Sequence, residues 1–237
     1  MGSGFYTIMA AQFFSSLADN ALLVAAIALL AQADSPAWLT PYLKFFFVVS
    51  YVVLAPYVGA FADRLPKGTV MFIANTIKIA GCAVMLFEVN PLAAYALVGL
   101  GAAAYSPAKY GILTEYLPHS KLVMANGWIE GLTVTSIILG VVLGGMLIRT
   151  GVADALLGFD LPFIDTGIDT PPESAIAIII AIYAIAALFN LYIPRTGVAM
   201  KPLPAHPLET LRDFAHCIDS LWRDKLGQIS LAVTTLF

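Results

Sequence analysis

Apolar residues run along this chain in long blocks, neither alternating nor confined to one helix face. Six blocks read at about 7 to 31, 41 to 62, 69 to 87, 92 to 113, 122 to 148 and 174 to 194. Each is near the ~20 residues that a helix needs to cross a ~30 Å hydrocarbon layer. Both alternating faces are apolar, which excludes barrel strands with a polar lumen side, so each block is predicted to be a transmembrane helix. The first is too long for a cleavable leader, has no basic stretch ahead of it and contains Asp19 and Asn20, so it reads as a true span. A seventh block begins near Leu226 and reaches Phe237, about 12 residues, too few to span alone. The chain is therefore expected to be the first part of a longer protein.

Between the sixth and seventh blocks the pattern changes. From Pro202 a linker leads into a stretch where Leu208, Leu211, Phe214, Ile218, Leu221 and Trp222 share one helical face, with Arg212, Asp213, Asp219, Arg223 and Asp224 on the rest. This stretch is predicted to lie in the membrane interface with Trp222 at headgroup level, the alternative being a connecting helix packed on the protein. The organisation expected is an all-α membrane protein: a six-helix bundle over 1–194, a linker with an amphipathic helix over 195–225, and the start of a seventh transmembrane helix over 226–237.

Composition agrees with the pattern. Of 237 residues, 60% are apolar and 11% charged, less than half the ~25% charge of a soluble domain. A formal charge of -3 offers no general attraction to a polyanion, so a nucleic-acid partner is not expected. The few basic residues orient the chain. With the amino terminus inside, Arg64, Lys67, Lys121, Arg195, Lys201, Arg212, Arg223 and Lys225 fall on the cytoplasmic side, against Arg149 and Lys44 outside. The outer loop from Thr150 to Glu173 carries Asp154, Asp160, Asp165 and Asp169, and its Pro162, Pro171 and Pro172 predict an irregular connection. Topology separates Cys82 from Cys217, so both are expected to be free thiols.

Four ionisable residues fall inside spans: Asp19, Lys78, Lys109 and Glu130. Each costs at least ~2.5–3.5 kcal/mol to insert unless it pairs, neutralises or faces a wet cavity. Together they imply a polar interior, read as a transport path, with a structural network as the alternative. Two acids and two bases suit a zwitterion, Asp19 or Glu130 facing its cation and Lys109 or Lys78 its phosphate or carboxylate. Lys78 is the weakest member, because its long stem allows snorkelling and the third span is placed at the outside of the bundle. Glu115, near the inner boundary, is given no chemistry. Gln12, Asn20 and Asn75 serve equally as path lining or as helix-to-helix glue.

Pro107 removes one helical amide bond beside Lys109, predicting a kink that frees the Ala103 carbonyl, with Tyr105 and Tyr110 adding hydroxyls. Gly127 and Gly131, and then Gly140 and Gly144, recur four residues apart and predict close helix packing. No catalytic constellation is present, so no enzyme activity is expected. His119, His206 and His216 form no spaced metal set with the cysteines, and no Gly-rich phosphate loop ends in Gly-Lys-Ser/Thr. Neither metal nor cofactor is expected.

The first inside loop, Gly59-Ala60-Phe61-Ala62-Asp63-Arg64-Leu65-Pro66-Lys67, resembles the loop signature of major facilitator transporters, whose acid and bases lock helix ends in one access state. Pro66 stands where that signature has glycine. Gly131, Gly140 and Gly144 are similar to part of the fifth-helix glycine pattern of that superfamily. More specific are Ala18-Asp19-Asn20-Ala21-Leu22-Leu23, the run from Gly101 through Tyr105, Pro107, Lys109 and Tyr110 to Leu113, and Ala125-Asn126-Gly127 with Glu130. Together they resemble the bacterial lysophospholipid transporter family of that superfamily. The resemblance implies the major facilitator fold and movement of lysophosphatidylethanolamine from the outer to the inner leaflet of the bacterial inner membrane. It also implies functional coupling to, or fusion with, an acyltransferase. On this reading Asp19 and Glu130 engage or organise the ethanolamine ammonium and Lys109 attracts the phosphate. A different major facilitator carrier, for another small zwitterion or drug, and a non-transporting membrane assembly module remain as alternatives.

Overall fold

The computed structural model describes residues 2–87, 90–157, 168–200 and 207–236. Its elements are helices: α1 (Ser3–Gln32), α2 (Leu39–Arg64), α3 (Lys67–Leu86), α4 (Pro91–Tyr116), α5 (His119–Leu147), α6 (Thr150–Leu157), α7 (Pro171–Leu191), α8 (Pro207–Arg223) and α9 (Lys225–Leu236). The six long ones coincide with the six predicted blocks, and α8 with the predicted amphipathic stretch. Asp160, Pro162 and Asp165 of the outer loop, and Lys201, Pro202 and His206 of the linker, lie outside the described residues.

The outer connection differs from its prediction. Thr150–Leu157 forms a short helix where an irregular segment was expected, and Pro171 and Pro172 open α7. Proline suits the first helical turn because its missing amide would be unpaired there. The Glu173 carboxylate completes the start by accepting from the Asp169 and Thr170 amides, both at 3.0 Å. At α4, Pro91 again takes the first position, and the Asn90 side chain caps the Leu92 amide at 2.9 Å.

α1, α2, α3, α5 and α7 are long and apolar enough to cross a membrane. α4 has the length, 26 residues or about 39 Å at 1.5 Å per residue, but is not among them. The fourth of the six expected spans is therefore held more by packing than by its own apolarity. Its Gly, Ala, Tyr, Ser and Lys are poor partners for lipid and good ones for other helices, and α4 lies against α2 and α3. It stays helical past the internal Pro107, as α2 does past Pro56.

Helix neighbours run in the order α5, α1, α7, α3, α4, α2. α2 and α5 end this arc and keep much of their apolar surface exposed. Two apolar clusters fill it. One joins Ala18, Leu22, Leu43, Val98, Ile176 and Tyr183, and the other joins Ile8, Ala62, Met71, Ala108 and Ile112. Between them on α1 and α3 sit Ser15, Ser16, Asn75 and Lys78, a polar layer across the middle of the bundle.

Close approach fixes the α1/α5 contact. A Cβ on Gly140 would stand 2.6 Å from the Leu17 carbonyl oxygen and one on Gly144 2.8 Å from that of Ala21. Gly127 and Gly131, expected to pack in the same way, have no neighbour within 4 Å among the described residues. They lie on an exposed face of α5, whose buried Ala125 and Ile129 join the cluster that holds Phe5, Ile8 and Met9 of α1. Gly140→Ala is therefore expected to cost about 1–3 kcal/mol by forcing backbone apart, read as a lower unfolding midpoint. Gly127→Ala should leave the midpoint unchanged or raise it slightly through better helix propensity.

Candidate functional site

A cavity of about 220 Å³ lies inside the arc, lined by Asp19 and Asn20 of α1, Lys44 and Tyr51 of α2, Lys78 of α3, Tyr105 and Lys109 of α4, and Thr133 of α5. Its centre is an ion pair. Lys78 Nζ donates to Asp19 Oδ2 at 2.9 Å, lies 2.8 Å from Oδ1, and donates to Ser15 Oγ at 3.0 Å. Ser15 in turn donates to Asn75 Oδ1 at 2.8 Å, and the Tyr183 hydroxyl of α7 donates to Asp19 Oδ1 at 2.7 Å. The Lys78 ammonium also lies 5.0 Å from the Tyr105 ring centre and 5.4 Å from that of Tyr183.

Lys78, expected to be free to snorkel at the outside of the bundle, is instead buried against Asp19 at the cavity. Its side chain is 1% exposed, so it does not snorkel, while Asp19 keeps 23% and faces the cavity. The helix packing explains the depth. A Cβ at Gly101 would meet the Ala74 carbonyl at 2.7 Å and Lys78 Cγ at 2.8 Å. Glycine there lets α4 close over the lysine stem.

Lys109 also lines the cavity and is 8% exposed. Among the described residues no carboxylate lies within ion-pair distance of its ammonium, which sits 4.3 Å from the Tyr110 ring centre. Tyr110 donates to Glu130 Oε1 at 2.8 Å. These two, predicted to line the path with Asp19, are exposed side chains outside the cavity lining. They bridge α4 to α5 on the open side of the arc. Asn20 spends its amide on the Ser16 carbonyl at 2.8 Å, and Gln12 joins α1 to Thr133 of α5 at 3.1 Å.

A second polar cluster closes the end of the bundle bearing Arg64 and Arg195. Lys67, 7% exposed, donates to Asp63 Oδ1 at 2.7 Å and to the Ala62 carbonyl at 2.8 Å, and lies 3.6 Å from Glu115 Oε1. Thr196 donates to Glu115 Oε2 at 2.8 Å. The signature residues Asp63 and Lys67 do join α2 to α3, whereas Arg64 is exposed and a Cβ on Gly59 would meet nothing within 4 Å among the described residues. Glu115, left without a role by the sequence reading, ties this joint to α4 and to the segment after α7.

Tyr183, Ser15 and Lys44 were also missed. Tyr183 and Ser15 look like ordinary span residues in sequence, and only the folded register brings them to Asp19. Lys44, placed on the outer side by the charge bias, lies near the start of α2 and lines the cavity. Its signal was available: a base five residues into an apolar helix.

An arc of six long helices around an off-centre polar cavity, with an acid-and-base joint at one end, defines a helical membrane bundle with a polar interior. The family model of the major facilitator superfamily matches residues 8–237, and the chain belongs to that superfamily, as a multi-pass membrane protein. More particularly, it is 43% identical over 237 residues to the lysophospholipid transporter LplT of Yersinia enterocolitica serotype O:8 / biotype 1B, covering 100% of this chain and 54% of that protein. It is also 43% identical over 230 residues to the LplT of Yersinia pestis (strain Pestoides F), covering 97% of this chain and 52% of that protein. The chain spans about half the length of the curated relatives it matches.

Proposed function

We propose that the protein carries a lysophospholipid, chiefly lysophosphatidylethanolamine, from the outer to the inner leaflet of a bacterial inner membrane. The observation that carries this reading is Lys109, a buried cation that lines the polar cavity with no carboxylate within ion-pair distance among the described residues. An anionic phosphate is the group that such an ammonium lacks. The Asp19 carboxylate, held by Lys78 and Tyr183, presents its accessible edge to the ethanolamine ammonium and so orients the headgroup. Glu130 acts from the rim through Tyr110. A single acyl tail stays against apolar helix faces or lipid, so only the headgroup needs a polar route.

The basic bias of that side supports a cytoplasmic position for the amino terminus and the Lys67 joint. The joint of Asp63, Lys67 and Glu115 then holds the inner ends of α2, α3 and α4 together in one access state. α8 exposes Leu208, Ile218, Leu221 and Trp222 and lies in the inner interface. The product in the inner leaflet lacks one acyl chain, so an acyltransferase is the coupled partner.

Competition tests the substrate class. Unlabelled lysophosphatidylethanolamine should suppress uptake of a labelled lysolipid by the full-length protein, while water-soluble zwitterions at the same concentration should not. Equal suppression by a soluble zwitterion would reassign the carrier.

A further inference from the structure

The surroundings of the Lys78 ammonium are those of a small-cation site. A carboxylate supplies two oxygens at 2.8 and 2.9 Å, a hydroxyl supplies a third at 3.0 Å, and two tyrosine rings present their centres at 5.0 and 5.4 Å. Oxygen donors on one side and aromatic faces on another are how proteins hold free ammonium groups. The cation here arrives on a four-carbon stem from α3, its Cγ seated where Gly101 leaves room.

We propose that Asp19, Ser15, Tyr105 and Tyr183 form a monovalent-cation site that Lys78 fills from within the chain. Three helices besides α3 build it, α1, α4 and α7, and each contributes a group aimed at one nitrogen. The arrangement does not depend on which substrate the carrier moves. Its consequence is that Asp19 always has a counter-cation, so a mobile cation enters this place only when the lysine charge is removed.

Lys78→Ala in the full-length protein empties the ammonium position and its stem, leaving space for a two-carbon ammonium. The readout is the unfolding midpoint in detergent, titrated with ethylammonium chloride against choline chloride at equal ionic strength. The choline headgroup is too bulky for a place built around a primary ammonium. Lys78→Ala should show a saturable rise of about 1.5 °C at ten times the dissociation constant. The native protein, its site already filled, should show none, and the double variant Asp19→Asn with Lys78→Ala should lose the response. The proposal is overturned if Lys78→Ala responds no more than the native protein, or if its response survives Asp19→Asn. Should the single variant be too unstable to purify, ethylammonium is kept present from expression onward. Recovery of folded protein only with the ammonium supports the site. Recovery of the double variant alone, with the ammonium present throughout, overturns it.

Discussion

Lys109→Met is expected to slow leaflet-to-leaflet movement of lysophosphatidylethanolamine by about 10- to 100-fold without loss of folded protein. A hydrogen bond between charged groups contributes roughly 1.5–3 kcal/mol, and each ~1.4 kcal/mol is a factor of ten. Stability should hold because no carboxylate among the described residues lies within ion-pair distance of Lys109, and removing a buried ammonium relieves a desolvation cost. Lys109→Arg should retain part of the rate, since the charge survives while the geometry of a point-like ammonium does not. Leaflet-resolved uptake of labelled lysolipid, with membrane expression matched, measures both variants. A native rate in Lys109→Met would remove this residue from the path.

Asp19→Ala should behave in the opposite way. It strands the Lys78 ammonium, 1% exposed, without its counter-charge, and breaking a buried pair from one side costs about 3–5 kcal/mol. The variant is expected to accumulate poorly and to unfold at a lower midpoint. Adding Lys78→Met removes the stranded charge, so the double variant should recover most of the lost stability yet transport no faster than Asp19→Ala. The four midpoints form a double-mutant cycle, and the pair should show strong coupling. Simple additivity would mean that Asp19 and Lys78 do not rely on each other.

The helices were legible because a membrane permits only long uninterrupted apolar blocks, and the structure places six long helices on them. The polar interior was legible for the same reason: Asp19, Lys78 and Lys109 stand out where charge is costly. Their pairing was not, because it depends on rotation about each helix axis. A lysine midway along α3 can snorkel or point inward, and Gly101 on α4 decides the matter by admitting its stem. Tyr183 illustrates the other limit. Inside an isoleucine-rich run it carries no mark of being the hydrogen-bond donor to an aspartate 164 positions away. The glycine pairs of α5 read alike in sequence, and only the pair that meets α1 has a packing role among the described residues.

The modest apolarity of α4 has a consequence for how the protein is made. A segment rich in glycine, alanine and tyrosine, with Lys109 buried in it, gains less than its neighbours from entering lipid by itself. α3 precedes it and shares its longest contact surface, so the two are expected to leave the insertion machinery as a hairpin. Lys78 on that hairpin needs Asp19, which has already emerged on α1. Electrostatics is therefore expected to order the assembly of the bundle, the Asp19 carboxylate of the first helix gaining its counter-charge only once the third has emerged.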